Sequence, residues 1–176
     1  MSISSVAVFC GSQAGKNPIY LQHAIVLGEL IATQKLTLVY GGGNGGLMGA
    51  VADTMMKNNG KVGGVITELL SFREHHHKGI TTLHIVADMH VRKKMMYELC
   101  DMAIILPGGF GTLDELFELI TWNTLKIHEK KIVILNSGNY FDKMIEFMDH
   151  VQAETFLYDN WREKIQIVDT PDEIFQ

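Results

Sequence analysis

Cysteine is scarce in this chain. Only Cys10 and Cys100 occur, with no CxxC and no paired spacing, which argues against a disulfide framework and for a reducing, cytoplasmic setting. Long apolar runs are missing too. No stretch reaches the ~18 residues that span a bilayer, so a membrane role is not expected. The opening Met-Ser-Ile-Ser-Ser lacks the basic start and apolar core of a secretion signal. Positive charge is in the minority, with 15 Lys and Arg against 20 Asp and Glu and a formal net charge of −5. Such a chain has no general field to attract DNA, RNA or anionic lipid, so nucleic-acid polymers are not expected partners. A local basic cluster can still hold a small anion. What is present is a chain of 176 residues, 47% hydrophobic, enough to bury a core as one domain over residues 1–176.

Strand and helix signals alternate without a linker or an internal repeat. Strands are predicted at Val6–Cys10, Leu36–Tyr40, Val62–Ile66, Thr82–Val86, Met102–Leu106, Lys131–Leu135 and Ile165–Val168. Helices are predicted at Pro18–Gln34, Leu47–Asn59, His90–Leu99, Thr112–Ile127 and Phe141–Val151, with a terminal turn at Pro171–Phe175. Residues 67–79 read as loop with a little helix. Strands apolar along their whole length and separated by helices imply an α/β fold with a mostly parallel sheet covered on both faces. The expectation is a Rossmann-like, doubly wound domain. Ligands bind such domains beyond the carboxyl ends of the strands, near the switch in strand order. The loops after strands one, two and five are therefore the places to search.

The strongest feature is Pro107-Gly108-Gly109-Phe110-Gly111-Thr112-Leu113-Asp114-Glu115. Glycines at 108, 109 and 111 let backbone N–H groups approach an anion, and the following helix adds its positive end. Thr112 can add a hydroxyl donor. The competing reading is a capping box, because Thr112 and Glu115 have T-x-x-E spacing. A capping box does not require the preceding glycines. The second feature is Met89-His90-Val91-Arg92-Lys93-Lys94. Three cations at a helix start oppose the macrodipole, so an anion nearby is expected. The alternative is a solvated basic face.

The loop Gly41–Gly49 contains G-x-G-x-x-G at Gly41, Gly43 and Gly46. It follows the second strand rather than the first. Glu68 lies near the spacing of a ribose-binding acid, so an NAD reading is weakened but stays open. The preferred reading is a flexible, close-packed loop, including Gly43 and Asn44, that lines a nucleotide pocket. Cys10-Gly11-Ser12 ends strand one, where Gly11 leaves room for a ligand and Ser12 can hydrogen-bond it. Cys10 has no evident base and is not expected to be a nucleophile. The segment from Gly11 to Asn17 is one residue short of a Walker A loop and has Asn17 where Ser or Thr must reach Mg²⁺, which argues against kinase or ATPase activity. His75-His76-His77 lacks the partners of a metal site, and no metal is expected.

Together these motifs resemble the LOG ("Lonely Guy") family. Pro107–Glu115 is similar to its P-G-G-x-G-T-x-x-E motif, and Met89–Lys93 to its M-H-x-R-K segment. Cys10-Gly11-Ser12, Gly41–Gly49 and Ile120-Thr121-Trp122 also match. The resemblance covers nearly the whole chain. It implies a homodimeric phosphoribohydrolase that releases a free base and ribose 5-phosphate from a nucleoside 5′-monophosphate, with no metal or redox cofactor. It implies phosphate binding by Gly108, Gly109, Phe110, Gly111 and Thr112, a catalytic pair of Glu115 and Arg92, and a substrate site lined by Arg92 and Lys93. Members were often labelled lysine decarboxylases, but no lysine here is set up for a pyridoxal Schiff base. Plant members carry Thr-Gly-Glu before strand four, whereas this chain has Glu74-His75-His76-His77, so Glu74 is the carboxylate available there. A related fold serves molybdenum-cofactor carriers, so a non-catalytic nucleotide or cofactor carrier is the alternative.

Overall fold

The computed structural model describes residues 3–74 and 76–176. Strands β1 (Ser5–Phe9), β2 (Thr37–Tyr40), β3 (Val62–Thr67), β4 (Thr82–Val86), β5 (Met102–Ile105), β6 (Lys131–Leu135) and β7 (Ile165–Val168) form one sheet in the order β4-β3-β2-β1-β5-β6-β7. Every pairing is parallel. The central strands are apolar because both of their faces are covered. All four residues of β5 are buried, as are four of the five in β1 and in β6. The edge strand β4 buries only Val86.

Helix α1 (Pro18–Thr33) starts where the side chain of Asn17 accepts a hydrogen bond from the Ile19 N–H at 3.1 Å and Pro18 sets the first turn. Asn17 is thus a helix cap, which accounts for its place in the Walker-like segment. Helix α2 (Gly46–Lys57) lies with α1 on one face of the sheet, over Val6, Val8, Leu38 and Ile104. Helix α3 (Glu68–Glu74) occupies half of the stretch expected to be mostly loop. Helices α4 (Met89–Glu98), α5 (Phe110–Thr124) and α6 (Asp142–Ala153) cover the other face, over Ala7, Phe9, Ala103, Ile105 and Ile134. Among the described residues, no helix is long and apolar enough to cross a membrane.

The strand order reverses at β1, which has β2 on one side and β5 on the other. The loops at residues 10–17, 41–45 and 106–109 therefore meet at the carboxyl end of the sheet, where the sequence placed the ligand. The main departure is at α5. It begins at Phe110, not Thr112, and Gly109 is its N-cap.

Candidate active site

One residue joins the three loops. The Gly11 N–H donates to the Pro107 carbonyl at 3.0 Å, and the Gly11 carbonyl accepts from the N–H groups of Leu47 and Met48 at 3.1 and 3.3 Å. The glycine loop after β2 is close-packed, as its composition implied. A Cβ on Gly46 would lie 2.4 Å from the carbonyl carbon of Ser12, so the two loops touch through bare backbone. Gly43 is buried and bridges to His76, while Asn44 is exposed and Ser12 half-buried.

At α5, the early helix start overturns the capping-box reading. Thr112 is the third helical residue, and no side chain caps the Gly109 end. The first-turn N–H groups of any helix lack intrahelical acceptors, so this end offers donors with the positive pole behind them. A Cβ on Gly109 or Gly111 would meet nothing within 4 Å, so these positions face open space. Gly108 is different. A Cβ there would sit 2.1 Å from Oγ1 of Thr112, which is itself buried. Phe110 projects outward and is 92% exposed.

Glu115, one turn further along α5, is buried and does not turn back to the helix start. Its Oε1 accepts from Nη1 of Arg92 at 3.1 Å, and both side chains are almost fully enclosed. The Arg92 guanidinium also donates through Nε to the Val65 carbonyl at 2.9 Å and through Nη2 to the Gly41 carbonyl at 3.3 Å. Burial raises the Glu115 carboxyl to about 7, against the opposing pull of Arg92. A buried acid at that value can take or give a proton near neutral pH.

The three cations of α4 have separate fates. The helix starts at Met89, with Asp88 accepting from the Val91 N–H at 2.9 Å, so the cations sit in its second turn. Arg92 goes to Glu115. Lys93 reaches Glu118 at 2.7 Å and Asp114 at 3.1 Å. Burial works against its charge, but these two carboxylates outweigh that and raise its pKa. Only Lys94 lies on a solvated face, 3.8 Å from Glu98. The anions that the basic run called for are therefore carboxylates of α5.

The remaining candidates fall outside this pair. Cys10 is buried, and burial with the nearby Glu115 charge pushes its thiol up, away from the thiolate a nucleophile needs. His77 Nε2 lies 3.0 Å from Asp53 of α2, and His76 Nδ1 lies 2.8 Å from Ser71 Oγ. The side chain of Glu74 and the whole of His75 lie outside the described residues. No group of three or more metal-ligating side chains gathers among the described residues. Sequence reasoning missed Tyr140, whose hydroxyl donates to the Gly108 carbonyl at 2.6 Å. Its position just beyond β6, at the carboxyl end of the sheet, was the available signal. It placed Gly41 in the glycine loop but not against Arg92, where a Cβ would stand 2.3 Å from Nη2.

The fold and this pair define a doubly wound α/β protein with an enclosed Arg–Glu couple at the switch point, beside a glycine-rich helix start. The family model described as "Possible lysine decarboxylase" matches residues 48–176. A cytokinin riboside 5′-monophosphate phosphoribohydrolase of Rhodococcoides fascians is 43% identical over 92% of this chain and 82% of its own length. The Arabidopsis thaliana enzyme of the same name, LOG7, is 43% identical over 86% of this chain and 70% of its own. The chain belongs to this LOG family of phosphoribohydrolases. A solved molybdenum-cofactor binding protein from Rippkaea orientalis has a TM-score of 0.72 at 18% identity, over 98% of this chain and 93% of that one. The Moco carrier protein of Chlamydomonas rheinhardtii gives 0.71 at 16% identity, over 98% and 92%. These two share the fold.

Proposed function

We propose that this chain hydrolyses the N-glycosidic bond of a nucleoside 5′-monophosphate, AMP or an N6-substituted AMP such as a cytokinin riboside 5′-monophosphate, to the free base and ribose 5-phosphate. The observation that carries the reading is Glu115. It is a buried carboxyl with a pKa raised to about 7, held by Arg92 in the second turn of the helix that follows the glycine loop.

Glycosidic cleavage passes through an oxocarbenium-like state. Water adds to C1′ of the ribose, the bond from C1′ to the base breaks, and the base leaves with a proton. The Glu115 carboxylate stabilises the positive charge that develops on the ribose, or takes the proton from the attacking water. Stabilisation by a fixed charge in an enclosed site is commonly the largest catalytic term. Arg92, with donors committed to Val65, Gly41 and Glu115, acts mainly by fixing the carboxylate. The residues Gly108–Thr112 bind the 5′-phosphate. Gly11, Ser12, Gly43 and Asn44 line the same end of the sheet. Lys93 braces α4 against α5 through Asp114 and Glu118, close to the substrate. The reaction requires no metal or redox cofactor.

The 176 residues act as one nucleotide-binding catalytic domain in the cytoplasm, a setting that suits two buried free cysteines. The working unit is a homodimer. The support is an apolar cavity of about 390 Å³ between the C-terminal half of α5 and α6. Around it Phe147, Phe156 and Tyr158 are 60%, 79% and 96% exposed, an apolar patch of the kind that marks interfaces.

The test is incubation of the pure protein with AMP and with N6-isopentenyl-AMP, followed by chromatography for the free base and ribose 5-phosphate. Release of base from either nucleotide supports the reading. Binding of both without release makes the protein a carrier.

A further inference from the structure

The geometry points to Tyr140 as the residue that aims the amide groups of the glycine loop, a positioning role for the anion site; this rests on the phosphate reading of that loop. A trans peptide directs its C=O and its N–H to opposite sides, and no cis bond occurs among the described residues. Whatever grips a carbonyl therefore also sets the direction of the next residue's N–H. Two successive carbonyls of this loop are gripped from outside it. The Gly11 N–H holds the Pro107 carbonyl at 3.0 Å, and the Tyr140 hydroxyl holds the Gly108 carbonyl at 2.6 Å. The N–H of Gly109 is then turned away from Tyr140, on a residue whose missing side chain faces open space.

Tyr140 is well placed to act as a fixed arm. Its ring meets Tyr20 edge-on at 5.5 Å and Phe141 at 4.9 Å. The backbone that carries it is tied down as well, because Oδ1 of Asn136 accepts from the Phe141 N–H at 2.7 Å and its Nδ2 donates to Asp142 at 2.8 Å. The glycines alone do not fix the loop. Gly108 and Gly109 have many accessible backbone conformations in the absence of an external hold, and a site must be ordered before it binds to avoid the entropic penalty at that step. The sequence around Tyr140 carries no phosphate motif, and its position beyond β6 marks only the right end of the sheet, so this contact is what defines the role.

The test is Tyr140→Phe, which removes the hydroxyl and keeps the ring against Tyr20. Steady-state base release from the nucleotide and calorimetric binding of ribose 5-phosphate are both measured on the intact protein. A net hydrogen bond of ordinary strength translates to about 3–10-fold weaker ribose 5-phosphate binding. KM for the nucleotide rises by a similar factor, and kcat falls by less. Affinity for adenosine, which lacks the phosphate, is unchanged. Ribose 5-phosphate binding equal to that of the parent overturns the inference, as does a loss confined to kcat or an equal loss for adenosine. A parent that binds ribose 5-phosphate but releases no base defeats the hydrolase reading and leaves the Tyr140 comparison intact. A parent that neither binds ribose 5-phosphate nor releases base defeats both.

Discussion

The backbone of Gly41 and the guanidinium of Arg92 occupy adjoining space, so that a single methyl group at position 41 would stand 2.3 Å from Nη2. The same glycine accepts from that nitrogen through its carbonyl at 3.3 Å. The bare Cα makes room for the cation, and the carbonyl orients it. Gly41→Ala is therefore expected to displace the guanidinium, the flexible partner, rather than to unfold the sheet. Base release should fall at least tenfold with the circular dichroism spectrum retained. Parental activity in Gly41→Ala would show that Arg92 does not need this position.

Glu115→Gln keeps the shape of the side chain and removes its ability to ionise. Loss of a group that stabilises charge or moves a proton costs about 10²–10⁴-fold in rate. Ribose 5-phosphate binding, measured by calorimetry, should survive. A variant that retains full turnover removes Glu115 from the chemistry.

The acidity of Glu115 sets a pH profile. If the carboxylate is the working form, kcat/KM climbs with pH through about 7, where the folded protein holds this group. The stability trend has the opposite sign. The folded pKa is raised above the ordinary 4.5, so this group's contribution is complete below that value and is lost as pH rises through about 7. The two curves can be measured separately, by initial rates and by denaturant titration between pH 5 and 9. An activity profile flat across pH 7 would mean that the titrating group lies elsewhere.

Arg92→Ala leaves a carboxyl buried without its cation, a change that costs about 3–5 kcal/mol when the charge persists. The loss should be larger at pH 8 than at pH 5.5, because protonated Glu115 does not need the partner. Pairing Arg92→Met with Glu115→Leu should restore most of the stability and none of the turnover, since two apolar groups of similar volume replace the enclosed pair. Equal destabilisation at both pH values would show that the lost contacts to Val65 and Gly41, not the ion pair, dominate.

For the proposed homodimer, Phe147→Asp combined with Phe156→Asp places two charges in the apolar patch beside the α5–α6 cavity. Sedimentation velocity should find the parent at twice the chain mass and the double variant at the chain mass. A dimer that persists in the variant puts the interface elsewhere.

The central strands were readable because they are buried on both faces, whereas the edge strand β4 buries only Val86 and was marked by its composition alone. Lys131–Leu135 and Thr82–Val86 fall where their apolar and β-branched residues put them. Helix α1 was marked by Pro18 in its first turn, while the capping role of Asn17 emerged only from the structure. The start of α5 was misplaced by two residues. Gly109 and Gly111 read as loop, yet glycine is tolerated at a helix start, where few hydrogen bonds depend on propensity. The partners of the α4 cations were hidden for a different reason. Sequence spacing records neighbours on one helix, whereas Lys93 meets Asp114 and Glu118 across two. Pairing of Glu115 with Arg92 came from motif likeness, and only the fold explains it, through the Val65 and Gly41 carbonyls on neighbouring segments.

Gly11 bonds to chain segments about 60 residues apart, through Pro107 on one side and Leu47 with Met48 on the other. Neither half of the sheet can therefore hold a rudimentary version of the pocket. Cutting the chain between β4 and β5 would yield fragments that each lack an essential wall. Activity on remixing them would report the re-pairing of β1 with β5 itself, making enzymatic rate a readout of sheet closure.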